Sequence, residues 1–236
     1  MTSLDGRIAL VTGASAGLGA AVAKRLADAG AHVVLLARSV GGLEATDDAI
    51  RAKGGAATLV PLDLREGDKI DQLGAALAQR FGRLDILVAA AGVLGNLAPL
   101  GHFDPKVWAE VMEVNAVANW RLIRVLDPLL RASPAGRAVF VTCAAARTFP
   151  PYWGAYAASK AALEAMVRCY AAEVAQLGVR ANLIDPGPLR TQLRAAGFPR
   201  EDRDRLRPPE AAAEAFVALA AAECEANGTL VTLPPV

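Results

Sequence analysis

Tyr156 and Lys160 stand four residues apart in Tyr156-Ala157-Ala158-Ser159-Lys160. On a helix that spacing puts both side chains on one face. A cation held beside a phenol favours the phenolate and lowers the phenol pKa, which suits general acid–base work on an alcohol/carbonyl pair at neutral pH. Upstream, Thr12-Gly13-Ala14-Ser15-Ala16-Gly17-Leu18-Gly19 follows an apolar run and precedes a helical one. A bulky residue at 13 or 17 would hinder the turn or hold a phosphate off the backbone. The helix start beyond it offers free N–H groups and a positive dipole end, both suited to pyrophosphate. The next apolar run ends Leu36-Ala37-Arg38-Ser39. No carboxylate stands at 37 to hold a ribose 2′-hydroxyl, whereas Arg38 would pair with the 2′-phosphate of NADP; its plain alternative is a solvated loop residue. Asp63 closes the third run and either accepts from an adenine amino group or caps the helix that follows Leu64.

These residues need a frame that brings positions 13, 63 and 156 together. Short, nearly continuous apolar runs at 8–11, 32–37, 57–62, 85–90, 138–142, 179–184 and 230–233 read as strands buried on both faces. Between them, 18–29, 43–53, 68–81, 105–130, 155–177 and 209–224 have helical length and much Ala and Leu. Gly30, Gly54, Gly82 and Gly178 fall where C-caps are expected. Strand–helix alternation throughout predicts an α/β fold: a Rossmann-type, doubly wound parallel sheet of about seven strands. With no composition break, residues 1–236 read as a single domain, and the irregular, Arg- and Pro-rich stretch at about 187–209 reads as a short substrate loop.

A balance of 25 Lys+Arg against 24 Asp+Glu gives no basic face for nucleic acid. Three dispersed cysteines predict no disulfide framework and an intracellular compartment. Two histidines without CxxC or HExxH predict no metal. No apolar stretch reaches membrane length and the start lacks a signal-peptide pattern, so a cytoplasmic protein without membrane contact is expected.

Taken in order, Thr12–Gly19, Asp63, Ala89-Ala90-Ala91-Gly92, Asn115, Tyr156/Lys160 and Pro186-Gly187-Pro188-Leu189-Arg190-Thr191 resemble the signatures of the classical short-chain dehydrogenase/reductase family. The resemblance spans nearly the whole chain. Trp153-Gly154-Ala155-Tyr156 and Ala195-Ala196-Gly197-Phe198-Pro199 are similar to a poorly characterised proteobacterial branch. It implies an NADP(H)-dependent alcohol dehydrogenase or ketoreductase, with NAD as a possible second cofactor. Tyr156 would be the general acid/base, and Lys160 would bind the nicotinamide ribose and lower the phenol pKa. Asn115 would hold a water in the proton relay. The resemblance further implies cofactor contacts from Gly13, Ser15, Ala16, Gly17, Leu18, Gly19, Leu64, Ala91 and Gly92, and from Pro186, Gly187, Leu189 and Thr191 along the nicotinamide. A small carbonyl or alcohol substrate and a homo-oligomer, dimer or tetramer, are implied as partners.

Two departures matter. The family places a serine 13 residues before the tyrosine; here the residue is Cys143. A thiol is a weaker donor with a longer reach, so Cys143 serves poorly, Thr142 or Thr148 substitutes, or Cys143 is only a small buried residue. Ala89 replaces an Asn that braces the fourth strand. Both leave open a rival reading, a dinucleotide-binding scaffold or sensor with little turnover. Tyr152 and Trp153 read either as aromatic walls of a substrate pocket or as packing, and Trp120 on the long helix reads as core or subunit interface.

Overall fold

Seven runs dominated by Val, Leu, Ile and Ala pair into one parallel sheet in the order β3-β2-β1-β4-β5-β6-β7. The strands are β1 (Ile8–Thr12), β2 (His32–Ala37), β3 (Ala57–Pro61), β4 (Ile86–Ala89), β5 (Arg137–Val141), β6 (Arg180–Asp185) and β7 (Leu230–Thr232). The computed structural model describes residues 3–234, so both ends of the expected 1–236 span lie outside the described residues. Crossover helices are α1 (Gly17–Asp28), α2 (Val40–Arg51), α3 (Gly67–Phe81), α4 (Pro105–Met112), α5 (Ala118–Arg131), α6 (Ala145–Thr148), α7 (Gly154–Glu173), α8 (Gln192–Gly197) and α9 (Pro209–Ala220). Among the described residues no helix is long and apolar enough to cross a membrane.

Successive side chains of a strand point to opposite faces, and both faces are buried here. Ala9, Val11, Val33, Leu35, Ile86 and Val88 join Val22 and Leu26 of α1 and Phe216 of α9 in one core. Leu10, Val34, Leu36, Leu87 and Phe140 join Leu73, Leu122 and Val167 of α3, α5 and α7 in the other. Arg7 donates to Ala220 O, the last carbonyl of α9, and Arg137 donates to Ala221 O and Ala222 O just beyond it, tying that helix end to β5. The four expected capping glycines all adopt positive φ; Gly82, at +72°, closes α3 in the left-handed conformation.

Three local expectations are corrected. The single helix expected at 105–130 is α4 and α5 joined by a π-helical turn, Glu113–Val117. Its cause is Asn115, whose side chain is drawn inward to both backbone groups of Val93, at 2.9 Å each, widening the turn. The expected loop at 187–209 carries α8 and a 3₁₀ turn at Arg203–Arg205, and its two ends meet where Arg190 N donates to Arg207 O at 2.9 Å. The brace lost at Ala89 is met from another side: Ala91 N donates to Thr12 Oγ1 at 3.1 Å, tying the exit of β4 to that of β1. Strand order reverses between β1 and β4, so these two exits flank the crevice where open α/β sheets take ligands.

Candidate active site

The glycine loop is shaped by close approach. A Cβ on Gly19 would sit 2.3 Å from Gly13 O, and one on Gly13 would sit 3.0 Å from Ala91 Cα and N. Gly13 and Gly17 hold φ of +70° and +54°, a region that favours glycine. Ala16, the residue before α1, has no side chain to cap the helix, so the first N–H groups of α1 face outward unpaid by protein oxygen. The fit to a pyrophosphate is therefore steric and electrostatic together.

One cleft of about 820 Å³ gathers nearly every residue singled out from sequence. Gly13, Ser15, Ala16, Gly17, Leu18 and Gly19 form one end with Arg38, Asp63 and Leu64. Ala91, Gly92, Cys143, Tyr156 and Lys160 line the same cleft, as do Pro186, Gly187, Leu189 and Thr191. Thr191 reaches across the cleft to the glycine loop, its Cγ2 lying 3.3 Å from where a Cβ of Gly17 would stand. Asn115 is the exception. It is fully buried behind the cleft, where Nδ2 also donates to Ser159 Oγ at 3.0 Å, and Asn119 Nδ2 donates to its carbonyl at 2.8 Å. It thus joins the Val93 segment to α7.

Arg38 is 58% exposed and forms a long, 4.0 Å ion pair with Asp63, so its guanidinium is open to solvent and to an incoming anion. Asp63 does not cap α3. Its carboxylate accepts from Arg65 N, Nε and Nη2, the last at 2.6 Å, and Arg65 holds its pKa below the usual carboxylate range.

Tyr156 and Lys160 share one face of α7, with Lys160 Nζ 5.8 Å from the Tyr156 ring centroid. Lys160 is buried and donates to Val141 O at 2.8 Å. Burial pushes its pKa down to about 8. The expected lowering of the Tyr156 pKa is absent from this arrangement. Burial first, then the Cys143 sulfur and the Asp185 charge, push it above the ordinary phenol value. Desolvation outweighs the cation because Nζ lies over the ring rather than against the hydroxyl. Burial likewise raises the Cys143 thiol, against the pull of Lys160 and of the Ala145 and Ala146 N–H groups, so the sulfur stays protonated.

The hydrogen bonds of the three candidates for the missing serine differ. Thr142 Oγ1 donates to Glu164 Oε1 at 2.7 Å and Thr148 Oγ1 to Ala144 O at 3.1 Å. Each hydroxyl has one proton and has spent it. Cys143 is the group left beside the Tyr156 hydroxyl.

Sequence reading missed the ionic support beneath this centre. Arg147, on α6, pairs with Glu164 of α7 and, at 2.6 Å, with Asp185 at the end of β6. Asp185 Oδ1 also accepts from Gly187 N at 3.1 Å. One guanidinium thereby pins the segments that carry Cys143, Lys160 and Gly187. A signal did exist: Glu164 repeats the four-residue step of Tyr156 and Lys160, so it falls on their face, where a buried carboxylate requires a counter-ion. Arg147→Met should cost about 2 kcal/mol or more by urea unfolding. That is less than the roughly 3–5 kcal/mol for a wholly buried pair, because the Arg147 side chain is 31% exposed while Glu164 and Asp185 are 8% and 3% exposed. An unchanged midpoint would mean the pairs carry no stability.

Residues 7–202 match the family model described as short chain dehydrogenase. The chain is 39% identical over 209 residues to the uncharacterized oxidoreductase YciK of Escherichia coli K12, covering 87% of this chain and 82% of that one. Among solved structures, a short chain dehydrogenase of Escherichia coli CFT073 complexed with NADPH superimposes with a TM-score of 0.93 at 37% identity, covering 97% of each chain. One from Shigella flexneri 2a complexed with NADP gives 0.93 at 36% identity, again over 97% of each.

Proposed function

Since the chain belongs to the short-chain dehydrogenase family, whose members are oxidoreductases, we propose that it uses NADP(H) to interconvert a small carbonyl compound and its alcohol, with Tyr156 as general acid/base. The observation that carries this reading is convergence: Tyr156, Lys160 and Cys143 line the same cleft as the glycine loop and Arg38. The sheet order places that cleft at the strand reversal, and the structural neighbours were solved with NADP and NADPH.

When bound, the nicotinamide supplies or accepts the hydride. The outward N–H groups at the start of α1 hold the pyrophosphate, and Arg38 holds the 2′-phosphate. Pro186, Gly187, Leu189 and Thr191 wall the nicotinamide end, where Lys160 meets the ribose. Tyr156, kept neutral by its burial, hands its proton to the carbonyl oxygen, and the Lys160 cation stabilises the phenolate left behind. Burial keeps the Tyr156 phenol protonated, the form that a proton donor in carbonyl reduction requires. Self-association through the α4–α5 face belongs to the same reading: Trp120 is 48% exposed there, with Arg121 and Arg124 over its ring.

Titration with NADPH and NADH tests the cofactor assignment. NADPH should bind more tightly, and Arg38→Ala should weaken it about tenfold while leaving NADH unchanged. Equal binding of both nucleotides would remove the assignment.

The pH dependence follows from Lys160, whose burial brings its pKa to about 8. The charged form is needed and is present below that value. Carbonyl-reduction kcat/KM at saturating NADPH should therefore be level below about pH 8 and fall by about tenfold per unit above it. A profile still level at pH 9.5 would take Lys160 out of the step.

A further inference from the structure

Beyond Tyr156 the cleft ends in an aromatic and aliphatic chamber. Trp153 lies 5.6 Å from Phe198, ring centroid to centroid, with 33° between planes, and 5.9 Å from Tyr156. Leu94 is buried and also lines the cleft, and α8 comes so near it that a Cβ on Gly197 would sit 2.5 Å from Leu94 Cδ2. Leu193 of α8, 36% exposed, stands at the mouth.

The charges bordering this chamber are already matched. Arg194 donates to Glu201 through Nε and Nη2, both at 2.7 Å, and its guanidinium stacks 3.8 Å from the Phe198 centroid. Arg190 is 3.6 Å from Asp204, and Arg205 is 3.3 Å from Asp202. Asp185 is paired with Arg147. Arg194, the arginine of this stretch that lines the chamber, is therefore already paired and offers a carboxylate no free cation. An anionic substrate would lose its hydration there without gaining an ion pair, whereas a hydrocarbon ring gains apolar and face-to-face contact.

Building on the oxidoreductase reading, we infer that the carbonyl substrate is neutral and carries a ring beside its carbonyl group, seated against Trp153 and Phe198, and that oxo acids are rejected. Trp153 and Phe198 are then specificity-determining residues, and the Arg194–Glu201 pair is what denies a carboxylate its partner.

The test compares an aryl methyl ketone with an oxo acid of equal carbon count at saturating NADPH, alongside calorimetric binding of the matching neutral alcohol to the NADP complex. The ring ketone should exceed the oxo acid at least about tenfold in kcat/KM. Trp153→Leu and Phe198→Leu, which keep apolar bulk and remove the ring, should each lower ring-ketone kcat/KM about tenfold with NADPH affinity unchanged. Glu201→Gln, by releasing Arg194, should raise activity on the oxo acid. An oxo acid used as well as the ketone, or ring ketones indifferent to both leucine variants, would overturn the inference and leave the oxidoreductase reading intact. Binding of the neutral ring alcohol with no turnover of any carbonyl compound would overturn the oxidoreductase reading and uphold the chamber's preference. Absence of both binding and turnover would overturn both.

Discussion

Tyr156→Phe is expected to lower carbonyl reduction by about 10²–10⁴-fold, the range for losing a positioned acid, while NADPH still binds. The variant deletes one hydroxyl and keeps the ring, so the contacts with Trp153 and Lys160 survive. The loss should fall on kcat more than on KM, because proton donation matters in the transition state rather than in the ground state. No neighbour stands ready to replace it. Thr142 and Thr148 have given their protons to Glu164 and Ala144, and burial holds the Cys143 thiol above its ordinary pKa, a poor acid at this spot. Steady-state rates with a ring ketone check the prediction; a variant retaining more than a tenth of the activity would place the proton donor elsewhere.

The second large effect should be a gain. Cys143→Ser introduces a hydroxyl beside the Tyr156 hydroxyl, where a substrate oxygen would develop negative charge. A strong donor aimed at an oxyanion is worth roughly 10²–10³ in rate. A thiol supplies a fraction of that, so an increase of about tenfold or more in kcat is expected. Serine is also smaller and fits without repacking. An unchanged or lower kcat would show the sulfur to be adapted to its substrate and not a handicap. That outcome would turn attention to the size of the chamber rather than to its donors. The same variant separates a working reductase from a cofactor-binding sensor: a sensor that lost turnover through this one residue should regain it.

Much of this was legible in the sequence because it depends on local rules. Gly13, Gly17 and Gly19 are required by positive φ or by backbone contact, and a loop between a strand and a helix states that need in one stretch of chain. Tyr156, Lys160 and the strand periodicity are equally local. The doubly wound, parallel character of the sheet follows from strand–helix alternation. What stayed hidden was relational. Arg147, Glu164 and Asp185 are far apart in sequence and acquire meaning only once β5, β6 and α7 are side by side. The rise of the phenol pKa on burial was not readable, because the four-residue step fixes the face of the helix but neither the height of Nζ over the ring nor the depth of burial. The pairing of Arg194 with Glu201 within the Arg- and Pro-rich stretch was likewise not readable from composition. The π-helical turn at Asn115 escaped notice because a helical pattern over 105–130 looks the same whether or not one residue is added to a turn. The substrate loop was visible as irregular composition, while the short α8 within it, the element that carries Phe198 to Trp153, was not.

The central claim, that Tyr156 and Lys160 direct reduction of a carbonyl carbon at an NADPH site, is tested most directly by isotope transfer. NADPH deuterated at nicotinamide C4 is incubated with the protein and an aryl methyl ketone, and the alcohol is analysed by mass spectrometry and NMR. Deuterium at the carbinol carbon, with product formation collapsing in Tyr156→Phe, is the predicted result. An alcohol carrying solvent hydrogen at that carbon, or undiminished labelled product from Tyr156→Phe, would contradict it.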